Sequence, residues 1–190
     1  MKRLAPALVA LLLAACGSPS AQPSASPTPT PSATVDTCER FQYISSIASG
    51  EGALPDVLVD CLEGDEQVRL STLRGPMVIA VWASWCQPCK EELPIVQQFY
   101  DLHHEQVDVL GYDLLDVSSQ AIAAAEHWGV DFASVEDPDG VFRSELDITA
   151  PPTTLFVDQG GHVVGKHLGA VTSLKELEQL VTQFLAVDFS

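Results

Sequence analysis

A chain of 190 residues, 46% of them hydrophobic, has material for one core with some flanking sequence. Its formal net charge is −17, from 26 acidic against 9 basic side chains. Nucleic acid and anionic membrane surfaces are thereby excluded as partners, because phosphate binding needs a clustered basic face.

In chain order, residues 1–16 read as an export signal. Lys2 and Arg3 precede an apolar run, Leu4 to Ala15, of 12 residues. A membrane-spanning helix needs about 20, so the run is too short to span. It ends in Leu13-Ala14-Ala15-Cys16, which resembles a bacterial lipobox. That resemblance implies that Cys16 receives a diacylglyceryl group and becomes the new N-terminus, two acyl chains giving a stable anchor. The mature chain would then sit, lipid-anchored, on the extracytoplasmic face of the bacterial cell membrane. Ordinary cleavage at the small residues, releasing a soluble protein, is the alternative. Residues 17–36 form a tether whose prolines stand at 19, 23, 27, 29 and 31. Gly17 to Thr34 is nearly all Ser, Pro, Thr, Ala and Gln, cannot bury apolar surface, and reaches about 55 Å as polyproline II.

Residues 37–190 hold the folded domain. Val57 to Cys61 and Val68 to Leu70 are predicted strands, turning at Glu63-Gly64-Asp65, and Met77 to Val81 a buried strand. A helix follows to about Leu102, with a kink expected at Pro94. Val107 to Tyr112 reads as a strand and Ser118 to Trp128 as a helix begun by Ser118 and ended by Gly129. Phe142 to Leu146 reads as a short helix. Thr153 to Val157 and His162 to Leu168 make a hairpin across Asp158-Gln159-Gly160-Gly161. Ser173 caps a last helix with Leu174, Leu177, Leu180 and Val181 on one face. The fold class is α/β, a central mixed sheet with helices on both faces and a short-strand extension at its N-terminal end.

The chemistry centres on Trp82-Ala83-Ser84-Trp85-Cys86-Gln87-Pro88-Cys89-Lys90. Cys86 falls at the strand-to-helix turn, and Cys89 lies one turn on along the same helix face. A helix N-terminus favours the Cys86 thiolate, whereas Cys89, deeper in, remains a thiol until deprotonated. One sulfur attacks and the other resolves. A zinc site would need two more ligands at comparable spacing, and none of His103, His104, His127, His162 and His167 forms such a pair with cysteine, so neither metal nor other cofactor is expected. Cys38 and Cys61 remain; an oxidising compartment favours a structural bridge between them, with two buried thiols or a relaying redox pair as alternatives.

The motif, with Lys90-Glu91-Glu92-Leu93-Pro94, Leu54-Pro55-Asp56, Leu73-Arg74-Gly75-Pro76, Pro152-Thr153-Thr154 and Val157-Asp158, resembles the TlpA/ResA-like branch of thioredoxin-like proteins over roughly residues 52 to 185. The resemblance implies a thioredoxin-like fold and a membrane-tethered thiol–disulfide oxidoreductase, a monomer acting as a reductase of protein disulfides. Some members serve cytochrome c maturation, with electrons from a membrane-embedded donor. Thioredoxins proper carry a buried carboxylate on the strand where this chain has Ala80. The ResA-like branch has an acid three residues after the second cysteine, and Glu92 stands there as the base for Cys89. Pro152 matches the proline that is cis in this superfamily, beside the dithiol. The preceding residue is Pro151, which removes an N–H that such a loop offers a substrate strand. Trp85 is expected on the apolar rim of the sulfurs and Trp82 in the core. Gln87 and Pro88 place no positive charge beside Cys86, so a strong oxidant is not indicated. Two rival functions are a thiol peroxidase-like antioxidant protein and a non-enzymatic binding lipoprotein whose cysteines are structural.

Overall fold

The computed structural model describes residues 38–41, 46–140 and 143–189. The export signal, Cys16 and the tether predicted within residues 1–36 lie outside the described residues.

Seven strands form one sheet: β1 (Leu58–Cys61), β2 (Gln67–Arg69), β3 (Met77–Trp82), β4 (Asp108–Leu114), β5 (Ser134–Asp137), β6 (Thr153–Val157) and β7 (Val163–Leu168), in spatial order β2-β1-β5-β4-β3-β6-β7. Three α-helices accompany them: α1 (Gln87–His103), α2 (Ser118–Trp128) and α3 (Leu174–Leu185). The sheet is mixed. β3 runs parallel to β4 and β4 to β5, while β6 is antiparallel to β3 and to β7. All six β3 side chains are buried, as a strand covered on both faces requires.

The pleat divides those side chains between two cores. Val78, Ala80 and Trp82 pack with Leu93, Val96 and Phe99 of α1, Ala121 of α2, and Leu177 and Val181 of α3. Met77, Ile79 and Val81 face the other way, onto Phe41, Leu54, Leu70, Leu73 and Ile148. Two 3-10 turns, Cys38–Phe41 and Leu70–Thr72, cover that second face, so helical elements lie on both. Right-handed β-α-β crossovers explain the asymmetry: β3, β4 and β5 follow one another in space, so α1 and α2 land on the same side.

Several boundaries differ from the sequence reading. β5 is an added strand; its Ser-Val-Glu-Asp is too short and polar to announce itself, yet it pairs with both β4 and β1. The segment read as a helix at 142–146 is a run of turns from Arg143 to Asp147, Phe142 lying outside the described residues. Backbone bonds there do not repeat: Ile148 N–H reaches Arg143 O at 2.9 Å and Asp147 N–H reaches Ser144 O at 3.2 Å. Val117, not Ser118, is the N-cap of α2, without a side-chain cap. Gly129 does end it, at φ 70, where an L-residue would be strained. Helix α1 continues through Pro94 to His103.

Candidate active site

Trp82, the last residue of β3, is fully buried and meets Trp128 edge-to-face at 6.0 Å between ring centroids. This anchors the chain where it leaves the sheet. The loop then closes on itself, Cys86 N–H donating to Ala83 O at 3.1 Å. Cys86 is the N-cap of α1, its Sγ accepting the Cys89 N–H at 3.2 Å, and Pro88 stands in the first turn, where its missing N–H costs nothing. The sulfur therefore occupies the position at which unpaired N–H groups stabilise negative charge. Cys86 and Cys89 are joined in a disulfide with Cα atoms 5.3 Å apart. Cys86 keeps 4% of its surface in solvent and Cys89 none.

Three residues beyond Cys89 on the same helix face, Glu92 is 1% exposed. Its Oε1 accepts the Val171 N–H at 3.0 Å and the Thr154 hydroxyl at 3.4 Å. Burial raises its pKa to about 7, against the lowering effect of those two bonds. Thr154 is the strand partner of Ala80. The carboxyl group missing from β3 is thus replaced by one that reaches the same strand pair from the helix.

Pro151–Pro152 is a cis peptide bond. Because Thr153 pairs with Val81, Pro152 enters β6 at the end of the sheet where the Cys86 loop leaves β3. The Pro152 carbonyl accepts the Gly169 N–H at 3.1 Å. Trp85 is 57% exposed and donates its indole N–H to Leu115 O at 2.9 Å. Gly75–Pro76 is also cis.

Cys38 and Cys61 do not join this group. They form their own buried disulfide, Cα atoms 6.1 Å apart, with both sulfurs 3.5 Å from the Ser134 carbonyl oxygen. Among the described residues no set of three or more His, Cys, Asp or Glu side chains could hold a metal ion.

The sequence reading overlooks an acidic layer behind the loop. Asp116 accepts the Ser84 N–H, the Ser84 hydroxyl at 2.8 Å and the Val117 N–H at 2.8 Å, tying the active-site loop to the segment after β4. Three residues earlier, buried Asp113 lies in register between Trp82 of β3 and Glu136 of β5. Among the described residues the Trp82 indole N–H has no partner, and the two Asp113 oxygens have none other than the nearby Asp116 carboxyl group. Burial, and secondarily the nearby Asp116 and Glu136, raise the Asp113 pKa to about 8. The available signal was an acid at the carboxyl end of a strand parallel to β3, where loops and ligands gather in α/β sheets.

Residues 51–166 match the AhpC/TSA family. The chain is 30% identical over 130 residues to the thiol-disulfide oxidoreductase ResA of Geobacillus kaustophilus, covering 67% of this chain and 74% of that protein. It is 34% identical over 118 residues to the DsbE homologue, a thiol:disulfide interchange protein, of Paracoccus denitrificans, covering 60% and 64% respectively. Among solved structures, StoA from Bacillus subtilis superposes with a TM-score of 0.55 at 26% identity, over 66% of this chain and 98% of that one.

Proposed function

The chain belongs to the AhpC/TSA family as a thiol–disulfide oxidoreductase of thioredoxin-like fold, and on that premise we propose that it is a membrane-tethered reductase of protein disulfides. The observation that carries the reading is the unequal setting of the two cysteines: Cys86 at the helix cap with 4% of its surface in solvent, Cys89 fully buried one helical turn before an acid of raised pKa.

The Cys86 thiolate attacks one sulfur of a target disulfide, forming a mixed disulfide and releasing the other target sulfur as a thiolate. Glu92 takes the proton of Cys89, and the resulting thiolate attacks Cys86, closing the Cys86–Cys89 bridge and freeing the second target thiol. Two electrons have passed to the target. An external dithiol, for which a membrane-embedded donor is the natural source, returns them. Trp85, next to Cys86 in the chain, and Pro151 and Pro152, at the end of β6 where the Cys86 loop leaves β3, would guide the target chain. Pro151 brings no N–H, so backbone pairing there would rest on its carbonyl. Cytochrome c maturation is a setting in which such a reductase would serve.

The sequence of residues 1–16 supports lipidation at Cys16 and an extracytoplasmic, membrane-anchored location. Among the described residues no helix is long and apolar enough to cross a membrane. Cys16→Ala should alter processing or shift the protein out of the membrane fraction, and unchanged fractionation would remove the anchor from the reading. Catalysis is tested by insulin reduction with the dithiol protein, peroxide consumption being the contrasting assay. Direction is tested by the potential of the Cys86–Cys89 couple. A value near about −270 mV supports reduction, and one near about −120 mV would make the protein an oxidant.

A further inference from the structure

Glu92 takes up its proton where solvent does not reach. Cys89 is fully buried and Glu92 is 1% exposed, so a proton passed between them needs a built way out to water. Val171 offers Glu92 only a backbone N–H, which does not carry a proton onward. Thr154 offers a hydroxyl, at 3.4 Å, and a hydroxyl can accept one proton while donating another.

The β6–β7 register fixes what lies beyond Thr154. Thr154 is paired with His167, and Phe156 with Gly165. Phe156 stacks on Phe184 of α3 at 4.9 Å between ring centroids, and a Cβ on Gly165 would meet that same ring at 2.3 Å. The pleat returns every second residue to one face, so Thr154 and His167 lie on the α3 side as well. Directly opposed side chains on one face have Cβ atoms about 4.5–5.5 Å apart, which brings the imidazole within reach of the Thr154 hydroxyl. Thr154 is fully buried and His167 only partly. Further out, Glu176 of α3 interacts by charge with both Glu92 and His167. The Thr172 N–H and hydroxyl, at 2.8 and 2.7 Å, hold the Glu176 carboxyl below the usual range, and its negative charge favours a proton moving that way.

We infer that His167 is the proton exit of the active site, receiving through Thr154 the proton that Glu92 takes from Cys89. The Glu92 carboxyl proton passes to Thr154 Oγ, and the Thr154 hydroxyl proton passes to one ring nitrogen of His167. The other ring nitrogen gives its proton to water. One proton enters the chain and one leaves, no electron moves, and the imidazole ends as its other tautomer. His167 touches neither sulfur and acts only through Glu92. The inference rests on Glu92 as the base for Cys89, and it adds a residue far in sequence from the dithiol motif.

The test uses the full chain, reduced with dithiothreitol and freed of it, mixed in stopped flow with the symmetrical disulfide of thionitrobenzoate. Its coloured products stay thiolates near neutral pH and take up no proton. The first marks attack by Cys86, and the second marks closure of the Cys86–Cys89 bridge. A pH indicator in weak buffer reads protons as they reach water. At about pH 8, above the Glu92 pKa of about 7, wild type should release a proton together with the second product. In His167→Gln closure should keep its rate while the proton lags behind it about 100-fold, the lower end of what a positioned proton-transfer group contributes. His167→Glu matches the Gln variant in shape but can carry a proton, and should abolish the lag. Both signals come from the same molecules, so a loss of folded protein lowers their amplitudes without creating a lag. Proton release in step with closure in His167→Gln overturns the inference. So does an equal lag in both variants, which would make the ring a packing group. Glu92→Gln isolates the premise: closure at the wild-type rate there would remove Glu92 as the base, and the inference with it.

Discussion

Glu92 of helix α1 receives the backbone N–H of Val171, 79 residues later in the chain, at 3.0 Å. The acid, one helical turn from Cys89, is therefore fixed in the interior by the segment that leads into α3, and it cannot swing out to solvent as its exposed neighbour Glu91 can. A buried carboxyl group with a pKa of about 7 is matched to deprotonating a thiol near neutral pH. Glu92→Gln keeps the shape and an acceptor oxygen for Val171 but cannot take a proton. Resolution by Cys89 should slow about 100-fold, less where solvent substitutes. Alkylation of Cys86, governed by the helix N-terminus, should change little. Stopped-flow reduction of a model disulfide from pH 5 to 9 would show the wild-type rate rising through about 7 and the variant without that inflection. Wild-type turnover in the variant would place Glu92 outside the chemistry.

The same shift has a consequence for stability. The folded pKa, about 7, lies above the ordinary 4.5, so between those values the native state holds a proton that the unfolded chain releases. The contribution is complete below about 4.5, falls as pH rises through about 7, and is flat above. Its full size is about 3 kcal/mol, at 1.36 kcal/mol per unit. Urea unfolding of wild type and Glu92→Gln should give curves that diverge over this window, the variant being the more stable at pH 8. Parallel curves would contradict the raised pKa.

How much of this was legible depends on the kind of signal each residue leaves. The all-apolar β3 and the Cys-x-x-Cys after it leave a strong local pattern, and their strand–turn–helix setting follows from it. Glu92 was legible through its spacing from Cys89 and the family resemblance, but its partners Thr154 and Val171 come from strands and loops that only the tertiary fold brings near. Asp113 was missed because an acid after Tyr112 reads as the end of a strand. In the structure β4 continues to Leu114 and buries the acid instead. β5 was missed for a related reason: Ser134 and Asp137 are buried polar residues, so the strand lacks the apolar alternation that would reveal it.

Asp113 supplies a second pH signature, separable from that of Glu92. Its pKa of about 8 again exceeds the ordinary carboxyl value, 3.8. The proton is held up to about 8, and the ionised form is destabilised by burial first and by Asp116 and Glu136 next. Asp113→Asn should match wild type in stability near pH 4 and exceed it increasingly as pH rises to 9, because the amide never ionises. The added N–H group can also donate to the carboxyl groups around it. Thermal denaturation of both proteins across that range is the measurement, and a difference independent of pH would remove Asp113 from the titrating groups.

The Cys38–Cys61 disulfide should behave as a clamp without redox work. It spans 23 residues and is buried against the Ser134 carbonyl, on β5, apart from the group around Cys86. Closing a loop of that length stabilises the fold by about 3 kcal/mol in the chain-entropy account. Replacing both cysteines by serine should lower the denaturation midpoint accordingly, while insulin reduction per folded molecule stays near wild type. A selective loss of turnover with stability intact would indicate a relay of electrons through this pair.

Trapping distinguishes the roles of Cys86 and Cys89 most directly. With Cys89→Ser, attack by Cys86 proceeds but the mixed disulfide has no resolving thiol, so covalent complexes should accumulate in cells and vanish on gels run with reductant. With Cys86→Ser, the remaining sulfur is fully buried and lacks the helix-cap position, so few complexes should form. The asymmetry follows from exposure and from the N-terminal field of α1 acting on one sulfur more than on the other. Non-reducing electrophoresis of both variants gives the comparison. Equal trapping by Cys86→Ser would mean that Cys89 emerges to attack, and the assignment of attacking and resolving sulfurs would be reversed.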